Sequence, residues 1–568
     1  MHDGPDDPHG DDPERWRIGD TPTAPAILAV CVLLLAALLL GELLHRFHVR
    51  VLTHSGAIML LGMLANGCVL LANNGHPLLI ANSPTVHDLI YYALLPPIIY
   101  EAGFSMRKRG FFANFVPILL LSVLGTLISI LSTGFLLYGL AEAEVLHFKH
   151  GELSVAEAML FGSLISSTDP VATLSILRGV NAPPLLYDLI FGESALNDAL
   201  SIVFFNAFRD QCKREMIARH EHPQGVRPFG APAPPPLPPF SPVPPDLDAG
   251  GGQLILEVIK VFVCSVLLGV ATGLASAALT RRLRMWAARR PAVELLILLC
   301  FALIAYTGCE VLELSGILAL FFAGITMRHW TFYNLSQTAQ ASAASTFETL
   351  AALGEASLSL LVGVAFVDFV VPHVIVPHVK VPARAVWNAG LVGVVMPVLL
   401  IARALNVFPM THLANRNFGE RNRQPISLRM QAVIWWSGLR GAVSFALAMS
   451  LDDSRESHQV VSRSLAGYFN STTLAVILAT NLLLAPFTGP IIRRLRLAAA
   501  AAVGPTAAAE PTAPLVINQI NADAADAAPT PPAITRSSSA KQRWKSLDER
   551  WIKPYFGGSG VDRPGELS

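Results

Sequence analysis

The sequence predicts an all-α polytopic membrane protein. Of the 568 residues, 52% are hydrophobic and only 14% are charged, and the mean hydropathy is +0.50, which is too apolar for a soluble globular protein of this size. Apolar runs long enough to cross hydrocarbon, roughly 20 residues of helix, recur from Pro25 to Arg494. Two of these runs are interrupted at corresponding places, which predicts two inverted six-helix repeats with crossed broken helices.

About thirteen such spans are predicted, and six of them precede a proline-rich segment. Their boundaries are 24–45, 51–72, 86–105, 112–141, 155–179, 185–208, 253–280, 291–308, 311–328, 343–370, 386–407, 428–450 and 466–492. If span 7 is a linker, spans 1–6 correspond to spans 8–13, so span 5 pairs with span 12. Span 5 contains "TDP" near its middle, and span 12 contains "SGLRGA", in which two glycines flank Arg440. Transporters place their binding sites at such paired interruptions.

This count also predicts the domain organisation. The predicted units are an acidic disordered N-terminal tail (1–23), a first repeat (24–208), a proline-rich linker (209–252), a linker span (253–280), a second repeat (281–494) and a short cytosolic, mostly disordered tail (495–568). "APAPPPLPPFSPVPPD" in the linker favours a stiff polyproline II spacer over a ligand for SH3-type modules. The acidic first twenty residues lack the basic region of a secretory signal.

Lysine and arginine predict the orientation. They collect in the links after spans 1, 3, 7 and 11 and after span 13, which we therefore place in the cytosol. The 209–252 link disagrees, since it carries five basic residues on the opposite side, although long links translocate more freely.

Composition excludes several functional classes. Lysine plus arginine (41) equal aspartate plus glutamate (41), so no basic excess points to nucleic acid. The six cysteines show no C-x-x-C spacing, so neither a zinc site nor a disulfide framework is predicted. There is no G-x-x-x-x-G-K-[ST] loop for ATP. We expect no cofactor and no enzymatic activity.

Charged residues inside the predicted spans are the main functional signal. Each costs about 2.5–3.5 kcal/mol at a span centre, so several together imply pairing or an aqueous cavity. At least seven are present: Glu101, Asp169, Glu193, Asp198, Glu355, Arg403 and Arg440.

Span 5 and span 6 together predict a cation site. Pro170 has no N–H and clashes with the carbonyl of Ser166, so the helix should open beside the Asp169 carboxylate. In "GESALND" of span 6, Ser194 and Asp198 are four residues apart and share a helix face. Carbonyl, hydroxyl and carboxylate oxygens suit a hard cation. The predicted ligands of transported Na+ or K+ are Asp198, Asp169, Ser194 and Thr168.

This chemistry predicts exchange. A proton and a small cation compete for the same carboxylate, so a site presented alternately to each side couples opposite fluxes. Asn197, which is neutral, lies beside Asp198. One carboxylate beside an amide favours one proton per monovalent cation, and therefore electroneutral exchange.

Each of these residues also has a purely structural interpretation. A single buried acid often just accepts hydrogen bonds. Glu193 and Arg403 have opposite signs, which favours a structural ion pair. Arg440 would compensate helix-end carbonyls or serve only as scaffold. Glu101 near a span end and Glu355 in "LGEASLSLLVG" remain open between surface and functional roles. Of the two, Glu355 is predicted, with Glu193, Arg403 and Arg440, to support the site through ion pairing or at the helix breaks.

Several long stretches resemble the sodium/proton exchangers of the cation/proton antiporter superfamily. They are "LLPPIIYEAG", "STDPVATLSIL", "FGESALNDALSIV", "SGILALFFAGITMRHWT" and "WWSGLRGAVSFALAM", which stand in the family's order over roughly residues 85 to 490. The resemblance implies that Asp169, Asn197 and Asp198 form the cation and proton site. It also implies that Glu193 and Arg403 form an interhelical ion pair, and that Arg440 is the arginine of the second broken helix.

The resemblance is closest to the organellar branch, and "SLDERWIKPYFGG" in the tail is similar to that branch's C-terminus. It implies a homodimer in Golgi or endosomal membranes, with the plasma membrane as the alternative, and a role in lumenal pH. The long 371–385 link and the proline-rich linker depart from the family pattern, and the tail is too short for a calmodulin-regulated domain.

Other functions remain open at this point. A K+-preferring or electrogenic antiporter would use the same residues, and an ion channel would use the same pore. An intramembrane aspartyl protease also needs two acids in adjacent spans, but neither acid lies in a G-x-G-D context.

Overall fold

The described part of the chain is helical. The computed structural model describes residues 23–47, 52–72, 84–106, 108–146, 153–180, 182–221, 247–287, 290–374, 387–418, 425–451 and 463–497. Within these ranges the regular structure consists of helices, with no β-strand. The predicted all-α class is therefore confirmed for these residues. The predicted tails, apart from 23 and 495–497, and residues 222–246 of the proline-rich linker lie outside the described residues.

The helices follow the predicted apolar runs in order. The uninterrupted helices are α1 (Thr23–Arg46), α2 (His54–Ala72), α6 (Pro184–Glu221), α7 (Leu247–Ala287), α8 (Pro291–Val311), α10 (Gln337–Val374) and α11 (Ala389–Phe418). Two helices are broken, into α5a (Val155–Ser166) and α5b (Val171–Gly179), and into α12a (Leu428–Trp436) and α12b (Ala442–Ser450). Seven helices of the described ranges are long and apolar enough to cross a membrane.

The remaining long helices contain a wider, π-helical turn. They are α3 (Pro84–Asp88, Leu89–Leu94, Leu95–Ser105), α4 (Phe115–Leu119, Leu120–Leu124, Gly125–Glu142), α9 (Gly316–Thr326, Met327–Thr331, Phe332–Asn334) and α13 (Arg463–Ala479, Thr480–Leu484, Ala485–Arg494), and the short helix Lys108–Ala113 precedes α4. In α3 and α13 a proline follows the turn by two residues, at Pro96 and Pro486. A proline lacks the N–H that a regular α-helix needs, which accounts for the wider turn.

Several helix ends lie beyond the boundaries predicted from hydropathy. Helix α6 continues to Glu221 and α7 begins at Leu247, so residues 209–221 and 247–252 of the predicted linker are helical. Arg214 of α6 and Glu257 of α7 approach to 3.7 Å in this region. Helix α10 likewise runs to Val374, into the predicted 371–385 link. Charged helix formers extend α6, and hydropathy does not detect them.

The helices pack into two groups that meet at the site. Helix α2 packs closely on α10 because Gly62 and Gly363 leave no side chain between the backbones: a Cβ on Gly363 would lie 2.1 Å from the Met59 carbonyl oxygen. Helices α3 and α9 pack beside them. The second group contains α4, α5a, α6 and α11. The broken helices and the cavity described below lie where these groups meet.

Candidate functional site

The break in α5 exposes a helix end beside a carboxylate. Helix α5a begins with a capping box between Ser154 and Glu157, and it ends at Ser166. Helix α5b starts at Val171, directly after Pro170. The Oδ1 atom of Asp169 accepts the Val171 N–H at 2.9 Å, which satisfies one of the free amides at the start of α5b.

The break in α12 lies against the break in α5. The Asp169 N–H donates to the Leu439 carbonyl oxygen at 2.8 Å. Nη1 of Arg440 donates to the carbonyl oxygens of Ser166 at 2.6 Å and Ser167 at 2.9 Å. Arg440 is 4% exposed. Its guanidinium therefore donates to carbonyl oxygens that have no helical partner at the end of α5a. These hydrogen bonds join the break in α12 to the break in α5.

Helix α13 supports the second break from behind. The Arg440 N–H donates to Thr480 Oγ1 at 3.2 Å, and Asn481 Nδ2 donates to the Arg440 carbonyl oxygen at 2.8 Å. Thr480 and Asn481 belong to the π-helical turn of α13, and both are buried. Both backbone polar groups of Arg440 thus have partners although Arg440 is outside a helix, as a membrane interior requires.

Helix α6 presents a carboxylate and a hydroxyl to the α5 break. Asp198 Oδ1 accepts the Ser167 hydroxyl at 2.5 Å. One turn earlier, the Ser194 hydroxyl donates to the Thr168 carbonyl oxygen, and the Thr168 hydroxyl lies 3.3 Å from Ser194 Oγ. The spacing of Ser194 and Asp198 therefore does place both on the face of α6 that meets the break.

Asn197 acts as a donor at the same break. Its Nδ2 atom donates to the Ser166 carbonyl oxygen at 3.1 Å and to Thr168 Oγ1 at 3.3 Å. Its Oδ1 atom accepts the Ser201 hydroxyl at 3.0 Å. An amide satisfies donors and acceptors at once, which an ionised carboxylate cannot do.

Glu193 and Arg403 form a buried, two-point contact between α6 and α11. Nη1 of Arg403 contacts Oε1 of Glu193, and Nη2 contacts Oε2 at 2.9 Å. Nη2 also donates to the Ile434 carbonyl oxygen of α12a at 3.1 Å. The pair ties α12a to α6 and α11, and both side chains are at most 5% exposed. Its geometry fits a structural ion pair.

A cavity of about 340 Å³ reaches the two aspartates. Asp169, Asp198, Ser167 and Thr168 line it, together with Gly441 from the α12 break. The two predicted carboxylates therefore face one shared space and not lipid.

The cavity extends from the breaks towards one end of the helices. Met106 after α3, Phe111 in the following short helix and Asp188 near the start of α6 also line it. This end carries the link after span 3, which the distribution of basic residues places in the cytosol. On the other side of the breaks, the rings of Phe161 and Phe469 are buried, and their centres lie 4.7 Å apart. The path is therefore open at the predicted cytosolic end and closed beyond the site.

The cavity wall contains further charges. Glu101 of α3 and both Glu348 and Glu355 of α10 line it. Glu355 therefore lines the same cavity as Asp169 and Asp198, and its predicted supporting role stays a prediction. Among the basic lining residues, Arg178 donates to the Tyr187 hydroxyl, and Arg328 lies 3.8 Å from the Phe332 ring centre.

Some residues of this arrangement were not predicted. They are Ser167, which donates to Asp198, Ser201, which holds Asn197, and the α13 pair Thr480 and Asn481. A serine in an "SST" run carries no periodic signal that it faces a neighbouring helix. The π-helical turn of α13 rotates the polar pair towards the break, and regular helical spacing does not predict that rotation.

Comparisons with known proteins agree on one family. The profile of the family described as sodium/hydrogen exchanger, transmembrane, matches residues 30–494. The human sodium/hydrogen exchanger 8 is 32% identical over 476 residues, which cover 82% of this chain and 70% of that protein. The Arabidopsis thaliana sodium/hydrogen exchanger 1 is 30% identical over 549 residues, which cover 93% of this chain and 91% of that protein.

A solved structure shares the fold. The sodium proton antiporter MjNhaP1 from Methanocaldococcus jannaschii, determined at pH 8, aligns over 83% of this chain and 98% of its own, with a TM-score of 0.55 and 16% identity. The helical architecture is thus an antiporter fold. With a family profile over most of the chain and relatives of this identity and coverage, the chain belongs to the sodium/hydrogen exchanger family.

Proposed function

We propose that this protein exchanges Na+ or K+ for H+ by secondary-active transport, using Asp198 and Asp169 at the crossing of the broken helices. The observation that carries the proposal is the shared cavity, which both carboxylates line together with Ser167 and Thr168 of the α5 break. Family membership supports the same activity, because the relatives are named for sodium and hydrogen exchange.

Competition for oxygen atoms is the proposed coupling step. When the Asp198 carboxyl carries a proton, one of its oxygens is no longer available to a cation. When a cation arrives among Asp198, Asp169 and the oxygens of Thr168 and Ser194, the proton leaves towards the open side. Neither ligand then crosses unless the other has left, so two opposite fluxes are coupled without a covalent intermediate.

Alternating access is the proposed movement. The contacts of Asp169 with Leu439 and of Arg440 with Ser166 and Ser167 join the broken helices into one body. We infer that this body moves against the group of α2, α3, α9 and α10, so that the cavity closes at the cytosolic end and opens at the other. In this proposal, the described conformation is the inward-open state.

The hydrogen bonds of Asn197 support the proposal that exchange is electroneutral. Its amide donates to the Ser166 carbonyl and the Thr168 hydroxyl and holds no exchangeable charge. One proton on Asp198 then balances one monovalent cation. The alternatives are a K+-preferring protein or an electrogenic one, in which Asp169 would carry a second proton.

The proposed setting is an organellar membrane, where the protein would regulate lumenal pH. Thirteen crossings in two inverted repeats would place the N-terminal tail and the proline-rich linker in the lumen and the C-terminal tail in the cytosol. The proposed assembly is a homodimer in lipid. Microscopy of the tagged protein in its own cells and light scattering of the purified protein test these two points.

Reconstitution tests the activity. Purified protein in proteoliposomes with an imposed pH gradient receives Na+, K+, Li+ or choline in turn, while one dye reports internal pH and another reports voltage. The proposal predicts that Na+ or K+ dissipates the gradient, that choline does not, and that no voltage develops. A voltage during turnover would establish the electrogenic alternative, and ion currents at fixed pH would establish a channel. A pH gradient that no alkali cation dissipates would refute the proposal.

A further inference from the structure

A run of polar residues is buried in the first half of α13. Asn470, Ser471, Thr472 and Thr473 are each at most 1% exposed. The Asn470 side-chain nitrogen and oxygen, Thr472 Oγ1 and Thr473 Oγ1 have no hydrogen-bond partner among the described protein atoms. A buried polar group without a partner destabilises the folded protein. Such groups call for an explanation.

The contacts of α13 show which way these residues face. Phe469 touches Phe161 of α5a, and Thr480 accepts the N–H of Arg440 at the α12 break. Residues four apart share a helix face, so Phe469 and Thr473 lie on one face of α13. Along the helix, Thr473 lies between the contact that Phe469 makes with α5a and the contact that Thr480 makes with the α12 break.

Asn470 adjoins Thr473 on α13. It lies three residues before Thr473, and residues three apart are neighbours on the surface of a helix. Asn481 donates to the Arg440 carbonyl oxygen. Together, Asn470, Thr473, Thr480 and Asn481 form a polar file along the inner side of α13, which ends at the crossing of the broken helices.

The polar file lies on the closed side of the site. Helix α5a leads away from the mouth of the cavity, whereas α5b does not. Phe161 lies in α5a, more than one turn before its end at Ser166. Because Phe469 touches Phe161, the start of α13 lies at the end opposite that mouth. The file therefore occupies the region through which an ion would have to pass after the cavity closes.

We propose that Asn470 and Thr473 line the second access route, and that water and the hydrated cation reach them when the site turns away from the cytosolic end. The inference rests on the proposed function and adds the residues of the route that is closed here. Their unpartnered groups are hydrated in that state, which explains why a buried helix keeps them.

Thiol labelling tests this accessibility. The six native cysteines are replaced by alanine, and Asn470→Cys, Thr473→Cys and Ala475→Cys are made singly. Ala475 is also buried, at 7% exposure, but faces nearly opposite to Thr473 on α13, so it is the matched control. A membrane-impermeant thiol reagent is applied from each side of oriented vesicles in turn.

The inference predicts faster labelling of the Asn470→Cys and Thr473→Cys proteins from the side of the α13 N-terminus than from the other side, and at least ten times faster than for Ala475→Cys. Labelling no faster than the control, or faster from the cytosolic side, would overturn it. This readout does not need transport, so its failure is distinct from a failure of exchange.

Two near-isosteric variants give a second test. Thr473→Val and Asn470→Leu remove the polar groups and keep the volume. A water-lined route predicts at least fivefold slower exchange, with a melting temperature equal to or above that of the unchanged protein, because no protein hydrogen bond is lost. A purely structural role predicts a lower melting temperature. A lower melting temperature, or exchange at the original rate, would contradict the inference.

Discussion

The N–H of Asp169 donates to the carbonyl oxygen of Leu439 at 2.8 Å, which joins the interruption of α5 to that of α12. Each break leaves backbone groups that hydrocarbon cannot satisfy, and each supplies partners for the other. The carboxylate of Asp169 is thereby held at the crossing, while its Oδ1 caps α5b through Val171. The geometry of the candidate site therefore depends on the contact between two helices that are far apart in sequence.

Replacing Gly441 tests that contact. A Cβ at this position would lie 2.5 Å from the Asp169 Cβ, so Gly441→Ala must push the two breaks apart. Overpacking of this kind costs about 1–3 kcal/mol. We expect exchange to fall at least tenfold. Gly393→Ala in α11 is the matched control, because its Cβ would meet nothing within 4 Å. Equal exchange by both variants would show that the breaks need not touch.

We expect a lysine ammonium to replace the guanidinium of Arg440 only in part. It donates to two carbonyl oxygens at the end of α5a, and each would lose its charged donor in Arg440→Gln. An unsatisfied buried acceptor costs about 1–3 kcal/mol. We expect a lower melting temperature and lost exchange in Arg440→Gln, with partial recovery of both in Arg440→Lys. If Arg440→Gln melts and exchanges like the unchanged protein, these bonds do not hold the site.

The buried pair of Glu193 and Arg403 should behave as a unit. Glu193→Gln or Arg403→Met alone leaves an unpaired buried charge, which costs about 3–5 kcal/mol. The double variant removes both charges and should melt above at least one single variant. Melting temperatures of the four proteins form a double-mutant cycle. Additive losses, with no coupling between the two positions, would contradict a structural ion pair.

Asn197→Asp tests the amide as a donor. An ionised aspartate cannot donate to the Ser166 carbonyl oxygen, so we expect exchange to fall at least tenfold. Ser201→Ala removes the bonds of the Ser201 hydroxyl to Asn197 Oδ1 and to the Ser166 hydroxyl but keeps the Asn197 amide as a donor, so we expect its exchange to fall less. Asn197→Asp protein that exchanges at the original rate and develops a voltage would show that the amide sets only the number of protons.

The fold was largely predictable because its signals are local. Long apolar runs predict helices in a membrane, and Pro170 predicts the end of α5a, since proline removes an N–H and collides with the preceding turn. Hydropathy does not predict the extension of α6 to Glu221, because many residues of this extension are charged. The π-helical turns were also missed, since they depend on how neighbouring helices pack.

The sequence predicts the charged residues of the candidate site better than it predicts the hydrogen bonds between its residues. An acid inside a span is costly enough to stand out, so Asp169 and Asp198 were found from sequence. Serine and threonine are common in spans at little cost, so nothing marked Ser167 or Thr480 as partners of distant residues. The position of Glu355 in the cavity wall depends on the packing of α10 and has no sequence signal.

Exchange by Asp198→Asn protein tests the central claim most directly. In proteoliposomes with an imposed pH gradient, the unchanged protein should dissipate the gradient when Na+ or K+ is added. Asp198→Asn should show no cation-dependent proton movement while keeping its melting temperature, because an amide neither releases a proton nor offers a charged ligand. Asp210→Asn, twelve residues later on α6, should exchange like the unchanged protein. Cation-driven proton movement in the Asp198→Asn protein at the original rate would contradict the account.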